Sequence, residues 1–226
     1  MEVYGVRPEA SRSRRGPPDG RPRREAIVSL VPNLWPVVEV GCDQGWIASA
    51  LGAIGTERHR HRLPERRRIR LVVADGLSCF SRVGVAVISG MGAATISRIL
   101  QVGPACEAAV LHATDRPDRL RLWCASHGWR IDAERLAPEA GRFAEVMRVV
   151  PGTEPHQGLD LAFGPLLGKD PLVRAHAERL LARWRTLRDG PGRRAVEARA
   201  SRWIAFLETL LVTLPARPPT DQASTR

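Results

Sequence analysis

Between Glu39 and Gly45 the run Glu-Val-Gly-Cys-Asp-Gln-Gly combines two glycines with two carboxylates. Glycine lets backbone turn tightly and approach a ligand that a Cβ would hold away. Glu39 can meet a cationic amino group directly or through water. Asp43 can face the same end of a ligand, organise the turn, or serve only as a turn cap. Asp75-Gly76 ends a second apolar run, where a carboxylate can accept an adenine amino group or cap a turn. Ser89-Gly90-Met91-Gly92 ends a third, and its two glycines imply close approach by a cofactor, a target or the next helix.

These residues need a frame that brings their loops to one edge. Val37 to Val40 reads as a buried strand entering the first glycine turn, and Trp46 to Leu51 as the helix after it. Ile69 to Ala74 is a strand ending at Asp75, Val83 to Ser89 a strand ending at Gly90, and Thr95 to Leu100 part of the helix that follows. Ala108 to Leu111 is a short strand, after which Asp115 is placed to cap a helix with Pro117 in its first turn and Gly128 at its end. Then two strands follow without a helix between them, Trp129 to Leu136 and Phe143 to Val150. Strands alternating with helices predict a parallel α/β sheet. A terminal hairpin on such a sheet separates class I, Rossmann-like methyltransferases from dehydrogenases, so the cofactor expected at the glycine turns is S-adenosylmethionine.

Past Pro151 the chain changes character. Two Arg-rich stretches, roughly 172 to 188 and 193 to 213, repeat Leu, Ala and Trp at a helical period on either side of Asp189-Gly-Pro-Gly192. They predict an antiparallel C-terminal α-helical hairpin with Arg174, Arg179, Arg183, Arg185, Arg194, Arg199 and Arg202 on its outer face. The expected organisation is a disordered basic arm over 1–24, a methyltransferase domain over 25–151, a coiled-coil-like helical module over 152–214 and a disordered tail over 215–226.

Composition narrows the class. The 226 residues carry 35 basic against 24 acidic side chains, a net +11, and Lys169 is the single lysine. Such a charge favours polyanionic partners, although Arg for Lys in a chain rich in Ala, Gly and Pro also follows from a GC-rich genome. Arg58 to Arg70 is a dense basic run that reads as a phosphate-tracking loop or a solvated insertion; His59 and His61 alternate there with arginines, a poor setting for a metal cation. The four cysteines are dispersed, so no zinc site or disulfide framework is expected, and they read as small core residues. No apolar run reaches the length of a membrane span and the Arg-rich start lacks a signal-peptide core, so a cytoplasmic location is expected. Oligomeric state is not encoded in any of these patterns.

The motifs Val-Glu-Val-Gly-Cys-Asp-Gln-Gly-Trp, Ala-Asp-Gly-Leu, Val-Ile-Ser-Gly-Met-Gly-Ala-Ala-Thr-Ile-Ser-Arg-Ile-Leu and Gly-Arg-Phe-Ala-Glu-Val-Met resemble the bacterial tRNA (adenine-22-N1)-methyltransferase family, TrmK. The likeness covers about residues 25 to 190. It implies methyl transfer from S-adenosylmethionine to N1 of an adenine in the D-arm of tRNA, which would be the partner. Carried over by motif, Glu39, Gly41, Asp43 and Gly45 belong to the cofactor turn, Asp75 and Gly76 to its adenine end, and Gly90, Met91 and Gly92 to the floor beside the reaction centre. The segment after the first turn is short for the family, so Glu57 is either the ribose-binding carboxylate or a loop residue where a strand is lost. The sequence also departs from the family at Gln44, at Ala93 and at His112-Ala-Thr114, the last in the expected base pocket.

Adenine N1 has a lone pair available at neutral pH, so attack needs alignment and a suited pocket more than a strong base. The exocyclic amine becomes acidic afterwards, and His112 or Asp43 is placed to accept its proton. Two other readings fit the residues: a non-catalytic RNA-binding descendant of the fold, and a small-molecule methyltransferase whose basic hairpin is a lid or dimerisation element.

Overall fold

The computed structural model describes residues 20–59, 69–190 and 194–215, with backbone alone for 194 and 195. Val37–Val40 (β1), Ile54–Glu57 (β2), Arg70–Val73 (β3), Val83–Met91 (β4), Cys106–Ala113 (β5), Trp129–Glu139 (β6) and Arg142–Pro151 (β7) form one sheet in the order β3-β2-β1-β4-β5-β7-β6. The first five strands pair in parallel, while β7 runs antiparallel to both β5 and β6. From β1 the chain moves outward to β2 and β3, then returns to lay β4 on the other side of β1. That reversal opens a crevice beyond the carboxyl ends of β1 and β4.

Alternation along the strands feeds two cores. Val38, Val40, Ala86 and Ile88 pack with Ile96, Ile99 and Leu100 of Ala93–Val102 (α3) and with Leu120 and Cys124 of Pro117–Ser126 (α4). Val37, Val85 and Val87 pack on the opposite face with Ala26, Ile27 and Leu30 of Arg21–Leu30 (α1) and Ile47 and Ala48 of Trp46–Leu51 (α2). A third core lies beyond the hairpin, where Leu136 of β6 meets Gly158–Phe163 (α5), Val173–Asp189 (α6) and Arg194–Thr213 (α7). Trp184 and Trp203 stack there with centroids 5.6 Å apart.

Buried charge joins the helical module to the sheet. Arg121 of α4 is fully buried, its Nε donating to Glu134 of β6 at 2.8 Å and its Nη1 to Glu145 of β7 at 2.7 Å. Nη1 also reaches the Ala162 carbonyl of α5 at 3.3 Å, and the second Glu134 oxygen accepts the Leu166 amide at 3.0 Å. Asp170 accepts the amides of Leu136 and Leu172, clasping β6 to the start of α6.

The structure corrects several expectations. Residues 1–19 of the basic arm lie outside the described residues, but Arg21, Arg23 and Arg24 sit on α1, so the helix starts before Glu25. The strand after the first turn is kept, as β2, while residues 60–68 of the arginine run lie outside the described residues. Asp115 does not cap α4: its Oδ1 accepts the Ala93 amide at 2.8 Å and caps α3 across the crevice, while Arg116 at φ +45° precedes α4. Helix α5 carries no sequence signal, because the six residues Gly158–Phe163 are too few to show a period. Cys42, Cys106 and Cys124 are buried, but Cys79 is exposed. Beyond Pro215 the expected tail lies outside the described residues.

The hairpin arginines do not form one solvated outer face either. Arg174 turns back onto the carbonyls of Leu211, Leu214 and Pro215 at the end of α7. Arg185 pairs with Glu208, and Arg199 reaches Asp118 of α4 at 2.8 Å while lying over Trp184. Arg179, Arg183 and Arg199 line a cavity against the sheet instead of facing away from it. The Arg194 side chain lies outside the described residues.

Candidate active site

The first glycine turn is held by its neighbours in the sheet. Gly41 at φ +68° and Cys42 donate their amides to the Thr56 carbonyl at 2.9 and 3.1 Å, and the Gly45 amide closes the turn on the Cys42 carbonyl. Gly41, Asp43 and Gly45 all have positive φ, a conformation that glycine adopts freely and that aspartate tolerates better than most side chains. A Cβ on Gly41 would come within 2.5 Å of the Met91 methyl, which places the β4 end directly over the turn. Asp43 is exposed at the tip.

Glu39 is buried, and one of its carboxylate oxygens accepts the Ala48 amide at 2.7 Å, pinning the start of α2. Burial pushes its carboxyl up from 4.5 to about 7, with the nearby Asp43 charge adding to the rise and the Ala48 hydrogen bond opposing it. Glu57 ends β2, also buried, and accepts the His59 amide at 3.2 Å. Thr56 ties the edge together, donating its hydroxyl to the Gly76 carbonyl at 3.1 Å. Asp75 projects exposed after β3, and Gly76 turns at φ +65° against Ile99.

Gly90 turns at φ +80° with nothing within 4 Å of where its Cβ would stand. Gly92 precedes α3 under the Asp115 carboxylate. His112, on β5 beside this stretch, is 2% exposed, and its Nδ1 accepts the Gly90 amide at 3.3 Å with the Ser89 hydroxyl equally near. Burial first, and the Arg23 charge second, push its imidazole down to about 4. The ring is therefore neutral at pH 7, and with Nδ1 taking the Gly90 amide its proton sits on Nε2. That hydrogen bond fixes the Gly90-Met91 backbone.

Every residue expected at the site thus lies on one rim. Glu39, Gly41, Asp43, Gly45, Glu57, Asp75 and Gly76 border the β1–β3 side, and Gly90, Met91, Gly92 and His112 border the β4–β5 side. The open space at Gly90, the glycine-lined floor and the carboxylates of Asp43 and Asp75 fit an elongated ligand with an amino-acid end and a purine end. Beyond His112 the rim continues into a cavity of about 920 Å³ under α6 and α7. Its walls include Asp115, Arg142, Glu145 and His176, of which the last three were missed from sequence. Arg142 and Glu145 lie inside the Gly-Arg-Phe-Ala-Glu-Val-Met motif. His176 carries no local signal, since only the packing of α6 brings it there.

A family model described as tRNA (adenine(22)-N(1))-methyltransferase matches residues 38–194, a span that begins in β1 and ends at α7. The chain belongs to this family. Among solved structures, that of Sp1610 from Streptococcus pneumoniae, described as a candidate tRNA (m1A22) methyltransferase, superposes with a TM-score of 0.72 at 27% identity, over 84% of this chain and 98% of that one. A structure of the same bacterium's protein in complex with S-adenosyl-L-methionine matches at 0.68 and 26% identity, over 84% of this chain and 98% of that one. TrmK from M. capricolum, in complex with S-adenosylhomocysteine, reaches 0.73 at 16% identity over 85% and 98% of the two chains, a likeness of fold. No curated protein sequence matches the chain. Among the described residues no helix is long and apolar enough to cross a membrane, and no three His, Cys, Asp or Glu residues gather at metal-binding range.

Proposed function

We propose that this tRNA (adenine-22-N1)-methyltransferase family member binds S-adenosylmethionine along the β1–β4 crevice and methylates N1 of adenine-22 in the D-arm of tRNA from the β5 side. The observation that carries this reading is the meeting of the two glycine turns, with Met91 laid over Gly41, at the switch point of a family-matched sheet. Bound S-adenosylmethionine supplies an electrophilic methyl group. The residues of the chain then orient, shield and discharge. Glu39 and Asp43 hold the amino-acid end, Glu57 the ribose and Asp75 the adenine amino group. Gly90 and Met91 leave room for the acceptor base, which must leave its stack to enter.

The neutral His112 holds the Gly90 amide and keeps a fixed N–H toward the cavity. N1 attacks with its own lone pair, so alignment carries most of the rate. Asp43, exposed at the turn, or His112 takes the proton that the exocyclic amine then releases. The test is transfer of labelled methyl to unmodified tRNA, read together with a reverse-transcription stop at the D-arm adenosine. Unlabelled tRNA at saturating cofactor would overturn the proposal. Because His112 stays neutral from pH 6 to 8, the rate profile of the wild-type protein should carry no inflection that His112→Gln removes.

A further inference from the structure

The turn between β6 and β7 holds an arginine over the mouth of the cavity. Arg142 is half exposed, yet it is fixed from two sides. Its Nη2 donates to Glu139 at 3.2 Å and its Nη1 to the Thr114 carbonyl, just past β5, at 3.4 Å. Glu139 is itself paired with Arg23 of α1, so three elements brace one guanidinium. Across the same turn Arg179 brings an Nη2 to 3.9 Å from where a Cβ on Gly141 would be. Arg183 lies one helical turn further along α6, on the same wall of the cavity.

Two of these arginines, Arg179 and Arg183, differ from their neighbours. Arg174, Arg185, Arg188 and Arg199 each have a carboxylate or carbonyl partner. Arg179 and Arg183 have no ion pair among the described residues. Arg142, already paired with Glu139, thus stands with the unpaired Arg179 and Arg183 around one opening, and exposed like charges so placed favour an anion between them. The cavity behind them leads to His112 and Asp115 and contains His176, which is 4% exposed. Its Nε2 makes no hydrogen bond, though Glu145 stands 3.4 Å away. The opening is therefore charged at the mouth, and within it His112, Asp115 and His176 stand among apolar walls that include Phe143, Phe163 and Trp203.

We infer that Arg142, Arg179 and Arg183 form a clamp for the phosphates on either side of the extruded target nucleotide, holding the RNA backbone at the mouth while the base lies at Gly90. The inference rests on the proposed methyl transfer for the identity of the target, but the clamp itself is a claim about binding. Phosphate contacts fix register and orientation without reading sequence. A guanidinium already braced by Glu139 and Thr114 loses little freedom when it takes one.

The test is tRNA binding to the full chain across a salt series, without and with S-adenosylhomocysteine. Each lost phosphate contact lowers the slope of log affinity on log salt by about 1. Arg142→Ala should lower it by about 1, Arg179→Ala with Arg183→Ala by about 2, and the lysine replacements should restore it. Arg185→Ala, on the same helix but away from the cavity lining and turned to Glu208 of α7, should leave it unchanged. A neutral methylphosphonate beside the target adenosine should weaken binding to the wild-type protein about tenfold and to the Arg142→Ala protein hardly at all. Unchanged slopes in all three clamp variants, or an equal drop in Arg185→Ala, would overturn the clamp. Failure of the methyl-transfer reading would look different, with intact salt-dependent tRNA binding and no label incorporated.

Discussion

At the β1–β3 side of the crevice the walls are mostly backbone. Gly41, Cys42 and Gly45 are set by amide hydrogen bonds to a carbonyl one strand away or within the turn, and the carboxylates project from strand ends. At the β5–β7 side the walls are long side chains from elements far apart in sequence: Arg142 from β7, Arg179 and Arg183 from α6, His112 from β5. A pocket made of backbone recognises a ligand of fixed shape, which suits a cofactor. One made of arginines tolerates a flexible polyanion. The second region is also the joint between sheet and helical module, so substitutions there affect folding and binding together, whereas those on the cofactor side can be silent in stability.

The sharpest way to break this contrast is at Arg121, whose guanidinium is enclosed by Glu134, Glu145 and the Ala162 carbonyl. Arg121→Met leaves two carboxylates near each other without their cation, and breaking a buried pair costs about 3–5 kcal/mol. Chemical denaturation should show a loss of that order. Adding Glu134→Gln should recover part of it. A midpoint that does not move in Arg121→Met would mean that apolar packing alone holds the joint.

On the opposite side, Asp75→Ala should weaken S-adenosylmethionine binding about tenfold, equivalent to about 1.4 kcal/mol, with the denaturation midpoint unchanged. Calorimetric titration reads the first and denaturation the second. If both fall together, Asp75 is a structural cap and the division between the two sides is wrong.

The same division governs what the sequence disclosed. Every strand but β2, and the two long hairpin helices, are legible because their periods lie within a dozen residues, and the glycine turns because their spacing is local. Glu57 stays open because its strand, Ile54–Glu57, is only four residues long and contains a glycine, poor evidence until β1 and β3 are seen pairing on either side. Asp115 was placed on the wrong helix because its partner, the Ala93 amide, is 22 residues earlier. For His112 the sequence offers residue type and motif position; its neutrality follows from burial and the Gly90 amide, both products of the β4–β5 pairing. The arginines of α6 and α7 have similar sequence surroundings, and only tertiary packing separates those that cap and pair from those left at the cavity.

Glu39 offers the smallest effect and the finest distinction, because it belongs to both descriptions. Its carboxylate pins α2 through Ala48, a structural role, and lies under the turn that would hold the cationic end of the cofactor. Burial raises its pKa to about 7 from 4.5, so between those values the folded protein holds a proton that the unfolded chain has released. This group's contribution to folding is therefore most favourable below pH 4.5 and is lost as pH rises to about 7. A cationic amino group beside it reverses the preference by stabilising the carboxylate. Cofactor affinity should then rise about eightfold from pH 6 to pH 7.5 as the proton leaves, since a group with this pKa passes from mostly protonated to mostly ionised over that range. In Glu39→Gln the same titration should be flat. Affinity that is already flat in the wild-type protein would confine Glu39 to holding α2 and leave Asp43 as the carboxylate that meets the cofactor's amino group.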